Sequence, residues 1–180
     1  MAGETTYYRR LQVLLELSAV HKPRSAALLI DHIAEKSPPN FVYHRWNPDK
    51  RDIVGRCSVA AIKKTFGIAS ELGLVDSSTG ILTKIGKEAA DPARFERLLR
   101  QQLTLLLGRL GCTVSSIVEM SRQLLHSRKI TLPTADELYA RLFTAKENNL
   151  PAGKFRTLLR LLAACGGIAT SRRQVFLPPE

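Results

Sequence analysis

The sequence predicts a mainly α-helical protein with short β-hairpins, organised as two halves of similar plan. Apolar residues recur at helical spacing along most of the 180 residues. In each half a helix reaches a glycine and is followed by a short extended segment, a tight turn and a return strand. The two endings match in register, because Gly167 lies 94 residues after Gly73 and Phe176 lies 94 residues after Leu82.

Three helices are predicted in the first half. Apolar stripes cover residues 4–21 and 25–36, and the first stripe ends at a Lys-Pro pair that a helix does not continue through. A third helix covers residues 58–73, with Ser58 suited to the N-cap position. Its outer face is small and basic, with Lys63 and Lys64 opposite the apolar side. This is the face that we expect a partner to contact.

The order of helix, tight turn and return strand resembles the winged helix-turn-helix superfamily. The resemblance rests on Glu71-Leu72-Gly73-Leu74-Val75 at the helix end and on Leu82-Thr83-Lys84-Ile85-Gly86-Lys87 after the turn at residues 76–80. It implies a tandem winged helix-turn-helix protein, with modules at residues 1–90 and 91–180. The alternative is that the helix and hairpin are a fragment of an ordinary α+β core.

One insertion departs from the pattern of that superfamily. Residues 37–56 form a connection of about twenty residues where a few are usual. Basic and aromatic residues are mixed along it, which is typical of a loop that contacts nucleic acid, since cations neutralise phosphates and aromatic rings stack. In the alternative interpretation, Phe41, Val42 and Trp46 simply attach the loop to the core.

The second half begins with a leucine-rich helix at residues 92–110. Its apolar face is broader than a surface helix needs, so we expect it to bridge the halves or to join a dimer. A helix to about residue 126, a strand at 129–132 and helices at 135–146 and 152–164 follow. The second predicted wing has its tip at residues 171–173.

Charge is the main compositional signal. The chain has 27 Lys and Arg against 16 Asp and Glu, a formal net charge of +11. Such a surplus favours association with a polyanion, and nucleic acid is the first candidate. Three widely spaced cysteines predict neither a disulfide framework nor a metal site. With no signal-peptide layout or apolar run long enough for a bilayer, we expect a cytoplasmic, nucleoid-associated protein and no membrane partner.

No catalytic constellation is recognisable in the sequence, so we expect no enzyme activity, no cofactor and no metal. The four histidines are scattered, and neither a phosphate-binding loop nor a nucleophile elbow occurs. Asp49 and Asp52 near Lys50 resemble a nuclease cluster only faintly, because they lack a strand context. Solvation of a loop is the better explanation of these charges.

The resemblance therefore implies a protein that binds double-stranded DNA, a transcriptional regulator or another duplex binder, through recognition helices and wings. For any single lysine the alternative is a solvated helix face. The predicted DNA-binding residues are Arg45, Lys50, Arg51, Arg56, Ser58, Lys63, Lys64, Thr65, Lys154, Arg156, Thr157, Arg160, Arg172 and Arg173.

A second hypothesis is an architectural or adaptor subunit. Winged-helix proteins of this kind dimerise and dock on a partner protein in a DNA-handling complex. The helix at residues 92–110 would supply the homodimer or partner-protein surface in that case. The strongly basic composition argues that nucleic acid is at least nearby.

Overall fold

A computed structural model describes residues 6–38, 41–47, 50–128, 133–143, 150–171 and 175–177. Eight helices and four short strands lie within these residues. In chain order they are α1 (Thr6–His21), α2 (Ala26–Lys36), β1 (Val42–Asn47), β2 (Lys50–Arg56), α3 (Val59–Glu71), α4 (Lys84–Ala89), α5 (Pro92–Arg109), α6 (Val114–Arg128), α7 (Ala135–Leu142), α8 (Ala152–Ala164), β3 (Ala169–Ser171) and β4 (Val175–Leu177).

The predicted fold class, a tandem winged helix-turn-helix with short β-hairpins, is wrong. Helix makes up 73% of the residues whose side chains are also described, and none of those residues lies in a strand. The four strands are described by their backbone only, and they form two separate antiparallel pairs, β1 with β2 and β3 with β4. Where the first wing was expected, in a stretch described throughout, the backbone pairing is an isolated bridge between Val75 and Leu82.

The turn at residues 76–80 does not project as a wing because it is held against α1 and α2. The backbone N–H of Ala26 donates to the carbonyl of Ser78 over 3.0 Å. The buried hydroxyl of Ser18 donates to the carbonyl of Gly80. A Cβ on Gly80 would lie 3.3 Å from the Leu29 side chain, so this backbone sits in the core. A turn anchored in this way cannot reach outward into a groove.

Residues 6–98 form one compact unit. In it, α2 packs against α3, and α1 packs against both α3 and α4. Helices α2 and α3 begin close to where the sequence predicted, and Ser58 caps α3 as expected. The Ser25 and Ser58 hydroxyls each accept a hydrogen bond from the backbone three residues on, at 3.2 Å. The fully buried core side chains of this unit are Leu11, Leu14, Leu15, Ile33, Phe41, Ile62, Ala69, Leu72 and Leu74.

Helix α4 was not anticipated from the sequence, and Thr83 explains why it forms. The Thr83 hydroxyl accepts from the backbone N–H of Gly86 over 3.0 Å, which caps α4. The same hydroxyl donates to the carbonyl of Gly73 over 2.6 Å. One side chain thus starts α4 and ties it to the end of α3. Close approach completes the junction, because a Cβ on Gly86 would overlap the Leu74 carbonyl.

The described residues from Leu99 onward belong to the second compact unit, so the boundary falls inside α5. Within this unit α7 packs against α6 and α8. A capping box starts α7, where Thr134 and Glu137 satisfy each other's backbone N–H groups. The rings of Tyr139, Phe143 and Phe155 cluster with centroids 5.0 to 5.6 Å apart. The strand predicted at residues 129–132 lies outside the described residues.

Two glycines in this fold should respond to alanine in opposite ways. Gly86→Ala should destabilise the protein by more than about 2 kcal/mol, because the new methyl group meets backbone that cannot move alone. Gly67→Ala should stabilise it by about 0.5 to 1 kcal/mol, because α3 has open space there and alanine favours helix. Urea unfolding followed by circular dichroism measures both, and equal effects would contradict the described α3–α4 junction.

The Asp76 carboxylate should make the stability of the fold depend on pH. Its carboxylate accepts four hydrogen bonds, from the backbone N–H and hydroxyl groups of Ser78 and Thr79 at 2.6 to 3.0 Å. These bonds hold the pKa of Asp76 well below its ordinary value of 3.8. A depressed folded pKa stabilises the protein above the unfolded pKa, and the contribution is lost as the pH falls below it.

We therefore expect Asp76→Asn to lower the free energy of unfolding near neutral pH and to lower it less as the pH falls below about 4. Urea unfolding of the wild type and the variant at several pH values measures the difference. Asp31→Asn, at an exposed position of α2, serves as the control. A difference between wild type and Asp76→Asn that does not shrink in acid would contradict this assignment.

Candidate nucleic-acid interface

The insertion between α2 and α3 leaves the helical unit and returns to it at one point. The backbone N–H of Cys57 donates to the carbonyl of Phe41 over 2.8 Å, and both side chains are buried. We call these two residues the hairpin root. Between them β1 and β2 pair antiparallel, from Val42 opposite Arg56 to Asn47 opposite Lys50. The segment predicted as a loop is therefore a β-hairpin rooted in the core.

A series of cation–aromatic contacts joins the hairpin root to α3. The guanidinium carbon of Arg10 lies 5.8 Å from the centroid of the Phe41 ring and 5.8 Å from that of the Tyr7 ring. The amino group of Lys64 lies 5.3 Å from the Tyr7 centroid. At these distances a cation is attracted to the face of an aromatic ring. The hairpin root is thus connected to Lys64 of α3 through two side chains of α1, Arg10 and Tyr7.

Tyr7 and Arg10 were not among the predicted site residues. Tyr7 was counted as part of the apolar stripe of α1. Arg10 was the signal in the sequence that could have revealed this contact. It lies three residues after Tyr7 and therefore on the same side of the helix as the core leucines. Arg10 is only 8% exposed. An arginine within an apolar stripe indicates a buried contact, although the sequence does not say with what.

The exposed side of α3 carries two lysines among small residues, and Val59 and Glu71 are also exposed, near the two ends of the helix. We call Ser58, Ala60, Lys63, Lys64 and Gly67 the α3 face; the first four are exposed and Gly67 is half-buried. A Cβ built on Gly67 would meet no atom of another described segment within 4 Å, so the helix is approachable there. Within the described residues Lys63 has no ion-pair partner. Short side chains let a partner approach the helix closely, and the lysines give that approach a preference for anions.

Four predicted DNA-binding residues, Arg45, Lys50, Arg51 and Arg56, lie in β1 and β2. Their backbone places them on the hairpin that grows from the root beside α3. Together with Asp49 and Asp52 they give residues 42–56 a net charge of +2 at neutral pH. The root of the strands that carry them comes directly before α3 in the chain.

Two predicted contact residues are wrong. Thr65 is completely buried, and its hydroxyl donates to the Ala61 carbonyl over 3.0 Å. Thr157 is 6% exposed, and its hydroxyl donates to the Gly153 carbonyl over 2.9 Å. A threonine on the buried side of a helix commonly satisfies its hydroxyl one turn back in this way. Neither side chain can reach a bound partner.

The described candidates of the second half, which are those of α8, form no comparable face. Arg156 is exposed, and its Nε lies 3.3 Å from a carboxylate oxygen of Asp136. Lys154 and Arg160 are half-buried on α8, whose other side chains fill the core of this unit. Arg172 and Arg173 lie outside the described residues. An anion would have to compete with Asp136 for Arg156, so α8 is a weaker candidate than α3.

The leucine-rich helix predicted to bridge or dimerise is α5. Its apolar residues Phe95, Leu98, Leu99, Leu103, Leu106 and Leu107 are buried within the chain. Leu105 differs, with 51% of its surface exposed. The broad face therefore offers little free apolar surface to a second protein, and the adaptor hypothesis lacks a favouring observation.

Within the described residues no three His, Cys, Asp or Glu side chains come close enough together to hold a metal ion. The three cysteines are buried thiols that are not joined by disulfides. Burial raises the pKa of the Cys112 thiol to about 11, against the effect of a hydrogen bond with Ser116. Cys112 is therefore a protonated thiol near neutral pH and a poor nucleophile.

Searches against protein families, characterised proteins and solved structures found no match to this chain. In the described part of the chain no single helix has the length and apolar content to cross a membrane. The pair α5 and α6, bent by 78°, meets that test together, by length and composition.

Proposed function

We propose that this protein binds duplex DNA through the α3 face and the β1–β2 hairpin. The observation that carries the proposal is the contact series from the hairpin root through Arg10 and Tyr7 to Lys64. It connects the root of the insertion to a lysine on the exposed side of α3. Transcriptional regulation is the use of such binding that we propose.

Electrostatics supports a polyanionic partner. A protein that neutralises phosphates releases condensed counterions, which gives both affinity and a steep salt dependence. The net charge of +11 supplies attraction at a distance. Lys63 has no carboxylate to displace within the described residues, so its charge is available to a phosphate.

Shape favours a duplex over a single strand. Single strands are usually bound by exposed aromatic rings on which bases stack. The α3 face itself has no aromatic residue, and the ring of Tyr7 beside it is already in contact with Lys64. A helix with short side chains flanked by cations suits the major groove, where the backbone can approach the base edges. In this arrangement the hairpin contacts the phosphates beside the groove.

Charge removal on α3 tests the proposal. Changing Lys63 and Lys64 together to Gln should reduce the slope of log affinity against log salt by about 2, because each lost phosphate contact releases about one counterion fewer. Fluorescence anisotropy with a labelled duplex at several salt concentrations measures the slope. The fold should persist, since both side chains are exposed.

The matched control is the pair Lys84 and Lys87 on α4, which are also exposed and belong to the same unit. Changing both to Gln removes the same charge at another place. The proposal requires a clearly smaller loss of slope in this variant. If the two double variants lose affinity equally, the attraction is diffuse and the α3 face is not the interface. A stable dimer indifferent to duplex would favour the adaptor hypothesis instead.

The hairpin can be tested by removal, because its two ends are already joined. Replacing residues 42–56 with two glycines should leave the helices folded, since the Phe41 carbonyl and the Cys57 N–H are hydrogen-bonded at 2.8 Å. Duplex affinity should fall by roughly tenfold or more at moderate salt, because the deletion removes four cations and only two carboxylates. Circular dichroism and anisotropy measure the two effects.

A full-length variant separates charge from shape. Changing Arg45, Lys50, Arg51 and Arg56 to Gln keeps the length of the hairpin but removes its cations. Equal losses in the deletion and in this variant would show that the hairpin acts by charge. Unchanged affinity in a folded deletion variant would contradict a role of the hairpin in binding.

A further inference from the structure

The corner where α1 ends and α2 begins contains an open pocket of about 280 Å³, far along α1 from the α3 face. We call it the corner pocket. It is lined by His21, Lys22, Pro23, Arg24, Leu28, Leu29 and His32. Its polar lining side chains are those of a lysine, an arginine and two histidines, and among the described residues no carboxylate lines it. An unbroken set of this kind is suited to an anion.

The local backbone explains why these side chains meet. Lys22 adopts a left-handed conformation, with φ of 42°, and the buried Pro23 follows it, so the chain turns sharply after α1. Ser25 then caps α2. The turn brings the last residue of α1, His21, against His32 of α2, with their ring centroids 4.2 Å apart and the ring planes tilted by 52°.

The positive charges at this corner make no ion pairs within the described residues. Lys22 and Arg24 are both exposed, and neither has an ion-pair partner among the described residues. The first turn of α2 adds the partial positive charge of a helix N-terminus. We propose that the corner pocket binds a phosphate group.

A phosphate fits this set better than a metal ion does. Lys22 and Arg24 repel a dication, and two histidines supply fewer ligands than a metal site needs. An arginine offers a planar pair of donors that matches phosphate oxygens, a lysine offers a point charge, and imidazole N–H groups donate as well. Pro23 and Leu28, which is 57% exposed, give an apolar wall for a small organic group attached to the phosphate.

This proposal does not depend on the proposed function. His21 follows Tyr7 by fourteen residues of one helix, which is a distance of about 21 Å at 1.5 Å per residue. The phosphate could come from a small phosphate monoester or from the backbone of a bound duplex. The two sources share the chemistry of recognition, and the experiment separates them.

The experiment is a titration of the full-length protein with sodium phosphate, and separately with adenosine monophosphate, at fixed pH and ionic strength. The imidazole proton signals are followed by NMR. The His21 and His32 signals should shift together and saturate. The His126 signal is the internal control, because this exposed residue lies on α6, outside the pocket, and it should not move.

Two charge variants locate the site. Lys22→Asn removes the cation but keeps a residue that tolerates the left-handed backbone, so folding should not suffer. Arg24→Gln removes the guanidinium. Each should weaken phosphate binding about tenfold, which is the effect of one charge-assisted hydrogen bond. Lys36→Gln, at the opposite end of α2, is the matched control and should bind as the wild type does.

Each result either supports the phosphate site or overturns it. Absence of a saturable shift at His21 and His32, or equal shifts in the wild type and in both pocket variants, overturns the proposal. If the pocket variants also lose duplex affinity in the same proportion, the phosphate is that of the DNA backbone. If duplex affinity is unchanged while monophosphate binding is lost, the ligand is a small phosphate.

Discussion

Helix α3 has to pack into a core and remain accessible at the same time. Ile62, Ala69 and Leu72 are completely buried, and they hold α3 against α1 and α2. Because a helix turns by about 100° per residue, the choice of buried residues also determines which α3 residues face the solvent. Lys63 and Lys64 lie outside the buried stripe, and Thr65, one position on, lies inside it. The accessible surface of the unit is therefore set by the packing of one helix.

Much of the helical layout could be predicted because local rules decide it. Apolar spacing located α2, apolar spacing and the Ser58 cap located α3, and α8 begins and ends where the pattern placed it. The first wing could not be predicted correctly. Apolar residues on both sides of the turn at 76–80 are compatible with a projecting hairpin and with an anchored turn. The hydrogen bonds from Ser18 and Ala26 that decide between them connect positions distant in sequence.

The candidate site, like the fold, could be predicted only where local rules decide it. The lysines of α3 were visible in the sequence as an outer face, because their position follows from periodicity alone. Thr65 and Thr157 were misplaced because a polar side chain was assumed to face outward, whereas each satisfies its hydroxyl within its own helix. Arg10 was missed for another reason: its neighbours Tyr7 and Phe41 come together only when α1 and the insertion fold onto each other.

The hairpin root also bears on how this protein can change over evolutionary time. The two ends of the hairpin meet at one backbone hydrogen bond, so its length can change without separating Phe41 from Cys57. Doubling the length of such a segment costs only about 0.6 kcal/mol in closure entropy. Insertions and deletions within the hairpin therefore leave the helices almost untouched. The hairpin can diverge quickly in length and charge while selection for folding acts on α1, α2 and α3.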